Sequence, residues 1–287
     1  MDWTFTQDVK EFIAVAGGFL SLRPAENTIE LGAADAVRRR GQAAFGGSPP
    51  LFGWWRHAGG PVESTFLHTP PYPGLLTSGA HESSVRPLAE GLAGLGRPLP
   101  GINAEETAAM AFSAAWQQLT GADTQIGRRS RLYRLGELQL PAPAPPGAAR
   151  VAVAADGELL EAWLDAFSRE LAGAAPPIPG IVADRLGHGG LTLWEKDGVP
   201  VSLAGLTRPA GGIVRVAPVY TPPEHRQHGY GAAVTAAVSR AALAGGATAV
   251  VLFTDLANPT SNSLYQRLGY RRVEDRVIVE FQAVSTS

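Results

Sequence analysis

Val219-Tyr220-Thr221-Pro222-Pro223-Glu224-His225-Arg226-Gln227-His228-Gly229-Tyr230-Gly231-Ala232 is the run on which the reading of this chain turns. It leaves a strand predicted over 213–221, passes a short loop, and enters a helix predicted over 232–244 with Val234, Val238 and Leu243 on its apolar side. Glycines 229 and 231 stand where that helix begins. A helix start offers about four unpaired backbone N–H groups and the positive end of a dipole, so it binds phosphate oxygens. Glycine there lets a ligand approach the backbone. No Gly-Lys-Ser/Thr follows, and the glycine spacing is not that of a dinucleotide fold. By itself the run reads first as a glycine-containing turn between strand and helix.

A second run changes that reading: Asn258-Pro259-Thr260-Ser261-Asn262-Ser263-Leu264-Tyr265-Gln266-Arg267-Leu268-Gly269-Tyr270. Asn258 is a strong N-cap, Pro259 suits the first helical position, and Gly269 suits a left-handed end. Asn262 and Tyr265 share one helix face while Leu264 and Leu268 share another. In this order and separation, the two runs resemble the GNAT superfamily of acyl-CoA N-acyltransferases. Arg226, Gly229 and Gly231 match its pyrophosphate loop, and Asn258, Ser261, Tyr265, Gly269 and Tyr270 match its later signature. The resemblance covers about residues 150–281.

It implies transfer of an acyl group, most often acetyl, from acetyl-CoA to an amine. The backbone of Val219, Tyr220 and Thr221 would pair with the pantetheine arm. Amides of Gln227, His228, Gly229, Tyr230, Gly231 and Ala232 would cradle the pyrophosphate beside Arg226. A backbone N–H near Val219 would stabilise the oxyanion, Asn258 and Asn262 would reach the pantetheine amides, and Tyr265 would protonate the departing thiolate. Each residue has a plainer role open to it: Tyr265 as packing, Asn258 as a cap, Arg226 facing solvent. The base is left among Glu224, Asp255 and a water chain. His225 and His228, three apart, have no third ligand nearby in sequence, so no metal is expected.

The rest of the chain sets bounds. With 287 residues, two domains are expected, and 45% hydrophobic against 17% charged residues marks a globular chain. A net charge of -2 supplies no field to gather nucleic acid or anionic lipid, and the absence of cysteine removes disulfides and thiolate chemistry. No stretch reads as a signal peptide or membrane span, so a cytoplasmic protein is expected. The boundary is placed at the proline-rich run 141–148, with domains over 1–140 and 149–287. The second half reads as a strand over 150–154, a helix over 157–171 carrying Leu159, Leu160, Trp163, Phe167 and Leu171, a hairpin of 191–194 with 199–206 turned at Lys196-Asp197-Gly198, a strand over 249–254, a helix over 259–268 and a strand over 273–281.

The first half reads in similar order: hairpin 51–55 with 62–68, strand 74–78, helix 84–95, strand 99–103, helix 105–119 and strand 131–138. Trp55 and Pro61 have the separation of Trp194 and Pro200, which points to an internal repeat. The expected class is α/β (α+β): two tandem GNAT-like domains, each a mixed, mostly antiparallel sheet flanked by helices. Thr77-Ser78-Gly79-Ala80-His81-Glu82-Ser83 stands where the first half would need the phosphate loop, and its later helix lacks the Asn and Tyr. The first domain is therefore expected to be a degenerate copy without coenzyme A, whose Trp54, Trp55 and Trp116 line an acceptor pocket or fill a core. The expected activity is acetyl transfer to a primary amine, best a small molecule. The alternatives are an acyl-CoA sensor and a protein N-terminal or lysine acetyltransferase.

Overall fold

A computed structural model describes residues 2–46, 48–171 and 178–282. Its strands are β1 (Asp2–Thr6), β2 (Leu51–Arg56), β3 (Val62–His68), β4 (Gly74–Leu76), β5 (Gly101–Ala104), β6 (Asp123–Leu135), β7 (Ala148–Val151), β8 (Leu191–Lys196), β9 (Val199–Leu206), β10 (Ile213–Tyr220), β11 (Ala249–Asp255) and β12 (Tyr270–Gln282). Its helices are α1 (Val9–Leu22), α2 (Thr28–Arg40), α3 (Glu82–Gly94), α4 (Glu106–Thr120), α5 (Gly157–Glu170), α6 (Ile181–Leu186), α7 (Tyr230–Ala244) and α8 (Pro259–Arg267). Among the described residues no helix is long and apolar enough to cross a membrane.

The chain divides into two compact units, 1–130 with 274–287, and 131–273. It passes from one to the other inside β6 and returns inside β12, while the proline-rich run 141–148 lies within the second unit, between β6 and β7. The physical reason is hydrogen bonding. Residues 277–280 of β12 pair antiparallel with β5 and so belong to the first sheet, although they end the chain.

Within the first unit, strands β1 to β5 lie in sequence order, antiparallel except for the parallel pair β4–β5. Helices α1 and α2 cover one face over Phe12, Ala16, Leu20, Ala33, Ala34, Phe52, Trp54 and Leu67. Helices α3 and α4 cover the other over Phe66, Leu88, Ile102, Phe112, Trp116 and Val277. Trp54, Trp55 and Trp116 are thus core residues, 3%, 1% and 5% exposed.

The second unit repeats this plan, with β7 to β11 lying in sequence order and only β10–β11 parallel. Helices α5 and α6 cover Leu160, Leu164, Val182, Leu193 and Leu203; α7 and α8 cover Val214, Val216, Val234, Val238, Leu252, Tyr265 and Leu268. Both hairpins carry a register shift directly after the tryptophan of the repeated pair, at Trp55/Arg56 and Trp194/Glu195. A shared irregularity of this kind is difficult to explain without duplication.

Several boundaries differ from expectation. The strand expected over 150–154 is β7 at Ala148–Val151, and β4 stops at Leu76. β6 begins at Asp123, eight residues before the expected start, because its first half is exposed on both faces and shows no apolar alternation. Leu243, expected on the apolar side of α7, is 43% exposed; Ala242 takes the buried place. Strand β1 and helices α1, α2 and α6 complete the plan.

His68, buried in the first unit, accepts from Arg97 Nε at 3.2 Å. Burial, and then the Arg97 charge, hold its imidazole down at about 4, against 6.5 for the free group. The unfolded chain takes up a proton near pH 6.5 that the folded chain refuses until about pH 4, so stability is lost as pH falls through that window, by about 3 kcal/mol. Urea unfolding at pH 7 and pH 4 is expected to show this loss, with a shallower pH dependence in His68→Leu.

Candidate functional site

In the second unit, β10 is paired well on one side and briefly on the other. It pairs antiparallel with β9, but between Val216 and Val219 it carries one residue more than the facing strand, so Ala217-Pro218 forms a bulge. Its parallel pairing with β11 covers Ile213, Val214 and Arg215 against Ala249, Val250 and Val251. Beyond Arg215 the strand runs on to Tyr220 without a further β11 partner. That leaves an open backbone edge at Val219 and Tyr220, the geometry an extended ligand would complete.

The loop after this edge brings backbone amides together. Pro223–His225 forms one 3-10 turn, Gln227 has φ 65° and Gly229 has φ 80°. Left-handed residues at two nearby positions turn N–H groups into a concavity that suits anions. Gly229 takes this conformation freely, whereas Gln227 pays about 1 kcal/mol for it. Gly229 is also the N-cap of α7, and no side chain caps the helix start. A Cβ on Gly231 would stand 3.3 Å from Thr221 Oγ1, which is itself bonded to Ser202 Oγ at 2.8 Å. The loop thus packs directly on the strand end, and a larger residue at 231 would disturb it.

The side chains of the loop are engaged locally. Arg226 folds back over β10: Nε donates to Thr221 O at 2.9 Å, Nη2 meets both carboxylate oxygens of Glu170 at 2.7 Å, and its guanidinium lies 6.0 Å from the Tyr220 ring centre. Arg226 is thus held at the Glu170 end of α5, and the loop's backbone amides are the groups left to meet an anion. His228 stacks on Tyr230 at 5.5 Å. Among the described residues no group of three His, Cys, Asp or Glu could hold a metal ion.

Helix α8 carries the second run. Asn258 Oδ1 accepts from Ser261 N at 3.0 Å, the expected cap. Asn262 is fully engaged: Nδ2 donates to Asp255 O and Asn258 O, each at 2.8 Å, and Oδ1 accepts from the buried Tyr133 hydroxyl at 3.1 Å. Gln266 Nε2 donates to the same hydroxyl at 3.0 Å. Asp255 Oδ1 accepts from Ala257 N at 2.8 Å and so holds the turn before α8; Glu224 is exposed in the loop. Tyr133 and Glu170 were not singled out by sequence, since neither lies in a motif. Glu170's only signal is its place three residues after Phe167 on α5.

Tyr265 is 8% exposed and packs edge-on against Tyr270 at 6.0 Å. Burial pushes its phenol up to about 12, so it stays protonated at neutral pH. It joins the core cluster against which Val219, Ala232 and Leu264 also pack. The fold therefore gathers the bulged strand end, the start of α7 and Tyr265 around one apolar patch.

Residues 155–270 match the model of the Acetyltransferase (GNAT) family. A solved GCN5-related N-acetyltransferase from Kribbella flavida is similar at 26% identity, covering 76% of this chain and 86% of its own, with a TM-score of 0.52. Likeness over nearly the whole length extends the fold to the first unit. A GCN5-related N-acetyltransferase from Sphaerobacter thermophilus covers 98% of this chain and 95% of its own at TM-score 0.61 and 15% identity. A Drosophila protein covers 99% of each at TM-score 0.69 and 11% identity. Both units thus share the fold of these neighbours. No curated protein matches it.

Proposed function

We propose that the second unit transfers acetyl from acetyl-CoA to the primary amine of a small molecule. The observation that carries this is the open edge of β10, followed through the 221–229 loop by the glycine-bearing start of α7, which no side chain caps. The residues fit coenzyme A: Val219 to Thr221 would offer strand backbone to the pantetheine amides, and the amides of 227–232 would meet the pyrophosphate. Asn258 and Asn262 serve this site by holding the turn and α8 in place, Asn258 as cap and Asn262 through Tyr133.

The chemistry follows from what these groups can do. The acceptor's ammonium first gives a proton to Glu224 or water. The nitrogen lone pair then attacks the thioester carbonyl, whose oxygen takes the negative charge and accepts from the N–H at Val219. The C–S bond breaks, Tyr265 gives its proton to the thiolate and regains one from the positively charged nitrogen through water, leaving the neutral amide and free coenzyme A.

One coenzyme per chain is expected. In the first unit, β4 and β5 pair only at Gly74↔Ile102 and Leu75↔Asn103, after which Arg276 Nη2 donates to both Leu76 O at 2.8 Å and Asn103 O at 2.9 Å. A guanidinium thus fills the place where the strands part. The test is release of free thiol from acetyl-CoA with a panel of small primary amines. Turnover with one amine class supports the reading, and transfer only to peptide N-termini or lysines would replace it with the protein-modifying alternative.

A further inference from the structure

On the α5/α6 face of the second unit, the guanidiniums of Arg185 and Arg208 and the imidazole of His188 lie near Asp184. Arg185 of α6 is 7% exposed, and its Nη1 donates to Ala217 O in the β10 bulge. That is the guanidinium's one hydrogen bond among the described residues, out of five N–H groups it can offer. It lies flat on the sheet because position 205 is glycine; a Cβ there would run into Arg185 Nη1 and Ala217 O. His188 lies in the same way over Gly190, and Gly190 directly precedes Leu191, the residue that faces Gly205 across β8 and β9. Its Nδ1 is 2.7 Å from Asp184 O, while its Nε2 is buried with no hydrogen-bond partner among the described residues.

Arg208 adds a third basic group, with Nη2 3.8 Å from Asp184 Oδ1 and a buried Nε without a hydrogen-bond partner among the described residues. Arg215, on the β10 position before Val216, repels Arg185. Asp184 is the carboxylate that acts on both Arg185 and Arg208. A guanidinium as buried as that of Arg185, with one hydrogen bond, is costly unless something else meets its remaining N–H groups. A glycine floor that seats this cation beside the bulge gives such an arrangement a purpose.

We propose that this cluster is the acceptor's anion subsite: the amine that is acetylated carries an oxyanion, a carboxylate or a phosphate, seated on Arg185 with Arg208 and His188 beside it. Arg185 meets β10 two residues before Val219, so an anion there leaves the amine end of a short molecule directed along the strand toward the acyl group. The coenzyme's own phosphates are assigned to the start of α7, which packs on the opposite face of the sheet. Arginine suits the task because its planar fork meets a carboxylate or phosphate through two parallel bonds. This deepens the acetyltransferase reading and rests on β10 being the strand that holds the coenzyme.

The test is calorimetric titration of the full chain with 4-aminobutyrate, 3-aminopropyl phosphate and butylamine, each with and without coenzyme A, and separately with acetyl-CoA. The expected result is at least tenfold tighter binding of one anionic amine than of butylamine, lost in Arg185→Met and weakened severalfold in Arg208→Gln. Acetyl-CoA affinity should stay within about twofold in both variants. The tighter of the two anionic amines tells carboxylate from phosphate. Equal binding of all three amines, no binding of either anionic amine, or unchanged selectivity in both variants would overturn the subsite. Failure of acetyl-CoA to bind, with the anionic amine still bound through Arg185, would instead count against the coenzyme reading and leave the subsite standing.

Discussion

Replacing Tyr265 by phenylalanine is expected to lower kcat about a hundredfold while leaving acetyl-CoA affinity within about twofold. Proton transfer from a positioned side chain typically contributes 10²- to 10⁴-fold, and Tyr265 is the buried phenol that packs in the same cluster as Val219. Burial keeps its hydroxyl protonated at neutral pH, the state the proposed acid role requires. The substitution removes one oxygen and leaves the ring packed, edge-on to Tyr270 at 6.0 Å. Stopped-flow measurement of acetyl transfer, with a separate acetyl-CoA titration, divides the outcomes. Loss of turnover with binding intact supports the acid role. Turnover unchanged means that the thiolate leaves unaided, or that solvent supplies the proton.

The second large effect is expected in the first unit. Arg276→Met should destabilise it by about 3–5 kcal/mol, because removing one partner of a buried charged network leaves the others uncompensated. The Arg276 side chain is 1% exposed. Its Nε donates to Asn103 Oδ1 at 3.1 Å, and its Nη1 to Ser78 Oγ at 2.8 Å and Glu274 Oε1 at 3.3 Å. Glu274 is itself largely buried, and burial already pushes its carboxyl up. Without Arg276 that carboxylate would lose its nearest cation, and Leu76 O and Asn103 O would lose their shared donor. A fall in Tm of about 10 °C is expected for a unit of this size. Thermal unfolding of Arg276→Met beside Arg276→Met/Glu274→Gln reads the coupling, since the double variant should recover part of the loss. A single variant as stable as the parent would mean that the network is solvated and that Arg276 does not hold β4 to β5.

The second unit was legible in sequence where pattern and chemistry coincide. The strand end at Val219, the glycines at 229 and 231 and the capped helix at Asn258 each announce themselves through residue types with few other uses. The first unit was legible only in part. Helix α2 buries Ala33, Ala34 and Val37 beside the charged Glu30 and ends in three arginines, too small an apolar stripe to read, and the exposed half of β6 has no alternation. The proline-rich run drew the expected boundary because prolines mark loops. Whether a loop separates two compact units depends on which strands pair across the rest of the chain, and 277–280 pairing with 101–104 has no local signature. The same limit hid Arg276, Arg185 and Glu170. Single charged residues acquire meaning from what the fold places against them.

The most direct measurement is calorimetric titration of the full chain with acetyl-CoA, repeated with Gly231→Leu. At 231 the backbone already lies close to Thr221, so the added side chain should displace the loop whose amides are assigned to the pyrophosphate. Binding of one acetyl-CoA per chain, lost at least tenfold in the variant, is the expected result. No binding by the parent chain, or equal binding by a correctly folded variant, would contradict the assignment of the start of α7 as the coenzyme site.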